Sequence, residues 1–336
     1  MLAALIAAAA MSLPLPAADE LATPTPTPMP TQVPDQVLEQ VLVTGRRPGP
    51  ALWKVWKGDH ALLILGTIEP LPKKLIRRTD GIQAAILQSQ EVLAEPSVSF
   101  DIGRFRALTL LPSLIGLRDL PGKATLHDVL PEDVYRRWSA LKVQYLPEDR
   151  DVERWRPIFA ADALYAKAIG AAGFDDTPKV WNFVKQTANG QDIKIDGPRL
   201  LLPFDRPHKG ITEFKRGTLD DTRCLSATLD RIETDLGTMQ ARADAWAAGD
   251  VAGLSALPYT SHRPICGEAL LGSQVIQERG LSDLATRVEN AWLDAAEASL
   301  ADNRRTFAVL PLGELAGKGG MLDALRSRGY TVEAPH

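Results

Sequence analysis

The stretch Ala61-Leu62-Leu63-Ile64-Leu65-Gly66-Thr67-Ile68-Glu69-Pro70 decides the fold. Its five leading apolar residues show no polar alternation, the pattern of a strand buried on both faces. Gly66 permits a sharp change of direction, and Pro70 ends further pairing. Glu69 is thereby left just past the end of a buried strand. In open α/β sheets, sites collect in the crevice beyond the carboxyl ends of strands. The plainer alternative has Glu69 capping a turn or pairing with Lys73 or Lys74.

Two other stretches repeat the arrangement. Val92-Leu93-Ala94-Glu95-Pro96 is a short strand that also meets an acid and then a proline. Arg305-Thr306-Phe307-Ala308-Val309-Leu310-Pro311-Leu312 is a second buried strand, running into Gly313 and Glu314. If the three strands lie in one sheet and point the same way, Glu69, Glu95 and Glu314 converge on one edge. Two like charges at ~4 Å repel by roughly 4 kcal/mol at an effective dielectric near 20. Such a cluster shares a proton, recruits Lys or Arg, or binds a cation. Lys73, Lys74 and Lys318 are near in sequence and could supply the charge. An all-oxygen donor set favours Mg, Ca or Mn over Zn. The alternative is three separate salt-bridged acids.

Around these strands the chain reads mostly as helix. A hairpin over Leu52–Trp56 and Lys57-Gly58-Asp59-His60 leads into the first strand. Helical spacing follows over residues 78–91, 100–120 with a break near Pro112, and about 125–143. A long apolar helix covers 153–172 behind Arg156-Pro157, and another begins at Asp175-Asp176-Thr177-Pro178. Ile193-Lys194-Ile195 reads as a strand and 197–210 as irregular. One long helix is expected over 221–248, a helical turn at 254–257, and one or two more helices over 270–301. Met321–Ser327 is a helix stopped at Gly329, and Tyr330–Glu333 is a closing strand. The Gly-rich turn after Leu312 lacks GxGxxG and places Glu314 where an anion would sit. A nucleotide site is therefore excluded.

The 336 residues are 45% hydrophobic, enough for a sizeable core. The net charge of −4 and the lack of a dense basic run argue against nucleic acid. Five His and two Cys, without CxxC or HExxH spacing, argue against a His/Cys zinc cluster. Residues 1–18 are apolar, Ala-rich and end in small residues, as in a secretory signal peptide or an uncleaved N-terminal anchor. They lack the usual basic start, and a plain Ala-rich tail is the alternative. Residues 19–47 form a Pro/Thr-rich linker, with Val41–Gly45 as an extended segment able to add a strand to an envelope partner. The folded domain is expected over 48–336. An exported chain meets an oxidising compartment, so Cys224 and Cys266 are expected to form a disulfide rather than two buried thiols.

From Pro50 to Ala334 the chain resembles the TraB/GumN family, which is related to the Tiki-type membrane metalloproteases. The similarity begins at Leu52-Trp53-Lys54-Val55. Gly66-Thr67-Ile68-Glu69 falls on the family's G-T-x-H, and Arg156-Pro157 with its Ala-rich helix also fits. Trp246-Ala247-Ala248-Gly249-Asp250 resembles W-x-x-G-D. Glu314-Leu315-Ala316-Gly317-Lys318-Gly319-Gly320 fits the later part of G-x-x-H-L-x-G-x-x-G, and Arg328-Gly329-Tyr330-Thr331-Val332 fits R-G-Y-x-V.

The departures concern the chemistry. Both motif histidines fall on glutamates, Glu69 and Glu314, and the second motif's leading glycine falls on Pro311. Glu95 matches an acid the family often places at that strand end. Val288-Glu289-Asn290-Ala291-Trp292 stands where the family usually has R-N-x-x-W. The resemblance implies metal-dependent peptide hydrolysis, and replacing both imidazoles changes the metal or abolishes it.

The sequence thus predicts an α+β domain, a mixed sheet wrapped by helices in two related halves. The first half would hold Glu69 and Glu95, and the second Glu314. The function expected first is an envelope protein, periplasmic or membrane-anchored facing the periplasm. It would be catalytically degenerate, without a cofactor, and would bind or scaffold an envelope protein or peptide. The alternative is an active metal-dependent hydrolase using Mn, Mg or Ca at Glu69, Glu95 and Glu314.

Overall fold

A computed structural model describes residues 49–336, apart from 74–78, 102–103, 204–205, 218, 258–260, 273–276, 278–279, 282 and 336. The expected signal or anchor at 1–18, the linker at 19–47 with its Val41–Gly45 segment, and Lys74 lie outside the described residues.

The strands in chain order are β1 (Leu52–Lys57), β2 (His60–Thr67), β3 (Leu71–Pro72), β4 (Glu91–Leu93) and β5 (Ser97–Asp101). They continue with β6 (Phe174–Asp175), β7 (Lys194–Asp196), β8 (Arg199–Pro203), β9 (Arg305–Pro311) and β10 (Thr331–Glu333). Six of them form one sheet in the order β10-β1-β2-β9-β4-β7. β2, β9, β4 and β7 are mutually parallel, whereas β1 is antiparallel to both its neighbours, so the sheet is mixed. The β1–β2 hairpin closes with Lys57 opposite His60, through Gly58 at φ +64°. The pairs β3–β6 and β5–β8 stand apart from the main sheet.

Helices cover both faces of the sheet, which is why β2 carries an unbroken apolar run. Successive side chains alternate between two cores. Phe307 and Val309 of β9 join Leu65 and Val92 in the larger core. There they meet the helices Asp80–Leu87, Glu132–Tyr145, Pro157–Ala171, Lys179–Asn189, Thr222–Asp235 and Met239–Ala247. Ala308 and Leu310 join Leu62, Ile64 and Leu93 on the other face, against the helices Leu284–Asp302 and Met321–Ser327. Buried Glu91 fastens the Leu284–Asp302 helix to β4: Ser299 Oγ and Asn303 Nδ2 donate to it at 3.0 and 2.7 Å. This is the α+β fold expected, a mixed sheet wrapped by helices. The two portions of the chain are interleaved, because β9 inserts between β2 and β4.

Several local expectations change. Residues 197–210 are not irregular throughout, since β8 pairs in parallel with β5 and the Pro207–Arg216 helix follows. The strand partner lies about a hundred residues earlier and leaves no local signal. For the same reason the helix expected from residue 100 begins at Arg104, after β5. The single helix expected over 221–248 is two, Thr222–Asp235 and Met239–Ala247, on either side of Gly237. Gly66 lies within β2 and turns nothing. Its role is close approach: a Cβ there would meet Leu312 Cδ1 at 2.8 Å and Trp53 Cζ3 at 2.9 Å. Cys224 and Cys266 form the expected disulfide, joining the Thr222–Asp235 helix to the Arg263–Leu271 helix.

Candidate functional site

A cleft of about 720 Å³ opens beyond the carboxyl ends of β2, β4 and β7. Thr67, Glu69, Glu95 and Gly197 contribute to it from the strand ends. The Lys179–Asn189 helix supplies Trp181 and Lys185, and β8 supplies Arg199.

The first acid is held in place from below. Trp246 Nε1 donates 2.7 Å to the carbonyl of Gly66, and Thr67 Oγ1 donates 3.3 Å to that of Leu310. These bonds fix where β2 ends. Arg231, 2% exposed, then donates 3.2 Å from Nη2 to the Glu69 carbonyl. Its Nη1 donates 3.0 Å to His262 Nδ1, so that nitrogen accepts and the ring is neutral. Burial, then the positive charges of Arg231 and Arg263, push the His262 pKa down to about 4.

Because β9 separates β2 from β4, the three predicted acids follow three adjacent parallel strands. Glu314 falls in the first turn of the short Leu312–Ala316 helix after β9. The structure brings Glu69, Glu95 and Glu314 within electrostatic reach of one residue, Arg263. Arg263 Nη2 lies 2.9 Å from Glu69 Oε2 and 3.0 Å from Asp176 Oδ1. Glu69 therefore takes its counter-charge from Arg263 and not from Lys73, which donates 2.9 Å to the carbonyl of Gly170.

The electrostatics follow from this crowding. Glu95 keeps a solvent-facing side at the cleft wall, but protein replaces part of its hydration. That loss, then the negative charges of Glu314 and Glu69, against partial relief from Arg263, push its carboxyl up to about 7. Burial also raises Glu69 and Glu314, and Arg263 opposes the rise in both. The arrangement is a group of electrostatically coupled acids beyond the strand ends, with a guanidinium against Glu69 and one carboxyl poised to exchange a proton near neutrality. Among the described residues, no three His, Cys, Asp or Glu side chains are grouped to hold a metal ion.

Sequence reasoning missed Arg263, Asp176, Arg231 and His262. Arg263 lies 194 residues from Glu69, so its charge has no local signature. Trp246 was visible as a motif residue, and in the fold its indole satisfies the buried Gly66 carbonyl.

Fold and site together define a helix-wrapped mixed sheet with a cleft at its parallel strand ends, lined by both acids and cations. The model of the TraB/PrgY/gumN family matches residues 51–334, and the chain belongs to that family. No curated protein matches the chain, and no solved structure does.

Proposed function

We propose that this chain is an exported cell-envelope protein, periplasmic or held at the membrane facing the periplasm, whose cleft binds a peptide or protein partner without cleaving it. One observation carries the reading: the Arg263 guanidinium stands against Glu69, where the resemblance puts a metal ligand. A permanent cation there relieves the crowding that would otherwise recruit a divalent ion. Mn, Mg or Ca would have to displace Arg263 and gather carboxylates from three separate strands to within ~2–2.6 Å. That no three His, Cys, Asp or Glu side chains among the described residues are grouped to hold an ion supports the reading. The Cys224–Cys266 disulfide and the apolar start of the chain support export. No helix among the described residues is long and apolar enough to cross a membrane.

The test is metal content together with peptide cleavage, on protein purified without chelator. The reading expects no stoichiometric ion and no peptide cleavage with added Mn, Mg or Ca. One tightly held ion per chain, with cleavage that disappears in Glu95→Gln, would instead establish the all-carboxylate metal-dependent hydrolase.

A further inference from the structure

The helix that brings Arg263 against Glu69 is short and shallowly buried. Arg263–Leu271 is nine residues long, too short to be stable by itself in water. Its one buried residue is Ala269, while Leu270 is 40% exposed. Its other apolar contacts are partial: Leu271 is half-buried against a small cluster, and the N-cap His262 lies 4.7 Å from the Tyr165 ring. The ion pairs of Arg263 involve a side chain 54% exposed, and such pairs hold weakly. The firm attachment is covalent: Cys266 of this helix is joined to Cys224, fully buried in the Thr222–Asp235 helix. That anchoring helix also carries Arg231, which holds the Glu69 carbonyl and meets His262. One disulfide thus registers Arg263 against the acid it neutralises.

We infer that oxidation of Cys224 and Cys266 is the step that installs Arg263 against Glu69 beside the cleft, and that reduction withdraws it, leaving the acids without their counter-charge. On reduction, a dithiol donor attacks Cys266 Sγ, the partly exposed partner, and forms a mixed disulfide there. Cys224 leaves as a thiolate and takes up a proton. The donor's second thiol then releases Cys266, so the donor leaves as a disulfide and the protein gains two electrons and two protons. Formation of the bond runs the same exchange backwards with a disulfide oxidant. Freed of its link, the Arg263–Leu271 helix loosens, and Glu69, Asp176, Glu95 and Glu314 are left without their guanidinium. The device stands whether the cleft binds its ligand or cleaves it.

Hydrogen exchange on the full chain, with and without a phosphine reductant, tests the inference alongside two variants. These are Cys224→Ser with Cys266→Ser, and Arg263→Gln with the disulfide intact. Reduction and the double serine variant should speed amide exchange over 263–271 by about tenfold or more, while 222–235 and β2 stay protected. In reduced protein and in Arg263→Gln, the Glu95 carboxyl, followed by carbon NMR, should titrate at higher pH than in the oxidised protein. Unchanged exchange over 263–271 on reduction would overturn the inference. So would simultaneous opening of 222–235, which would make the disulfide a support of the whole domain. A Glu95 titration unmoved in Arg263→Gln would remove Arg263 from the site's electrostatics and overturn it equally.

Discussion

Replacing Glu95 with Gln removes a charge that the folded protein disfavours. Burial weighs most against the Glu95 carboxylate, Glu314 and Glu69 add to it, and Arg263 offsets part, which leaves the carboxyl at about 7 against an ordinary 4.5. At ~1.4 kcal/mol per pH unit, that rise sets a ceiling of about 3 kcal/mol on the penalty in alkaline solution. The side chain keeps solvent exposure, and screening brings the expectation to about 1 kcal/mol. The proton is held more tightly folded than unfolded, so the stability it lends is complete below pH 4.5 and is lost as pH rises through about 7. Gln has no such proton to lose. Urea denaturation at pH ~5 and ~8 should show the wild type losing about 1 kcal/mol more than Glu95→Gln between the two conditions. Every other group titrates in both proteins and largely cancels in the comparison. Equal pH dependence in the two would refute the crowded-carboxyl reasoning.

His262 runs the other way. Its pKa, lowered from 6.5 to about 4, means its contribution is present above 6.5 and lost as pH falls through about 4, so nitrogen NMR should find it neutral near pH ~5.5. Gly66→Ala forces a methyl group against Leu312 and Trp53, and a loss of about 1–3 kcal/mol is expected in denaturant melts. Trp246→Phe keeps an aromatic ring but strands the Gly66 carbonyl in the core, and should also lose roughly 1–3 kcal/mol. Thiol titration of the denatured, unreduced protein should find no free cysteine, and two reactive thiols would refute the Cys224–Cys266 bond.

Local chemistry determined much of this protein in the sequence alone. The apolar runs at residues 61–65 and 307–310, each followed by an acid, named the central strands and the edge where a site would form. A strand covered by helices on both faces must be apolar throughout, so it is legible without its partners. The hairpin before β2, the helix stop at Gly329 and the cysteine pair were legible for similar reasons. What the sequence left open was decided by contacts between distant residues. β5 and β8 are strands because each completes the other's hydrogen bonds, and neither segment alone announces it. Gly66 looked like a turn residue, but what demands glycine is the approach of Leu312 and Trp53. The three acids could be placed on one edge, but not their counter-charge. Nearby lysines were the obvious source, and the fold uses Arg263, 194 residues from Glu69. Coulomb attraction acts through space and not along the chain, so only the tertiary structure could select the cation that faces Glu69.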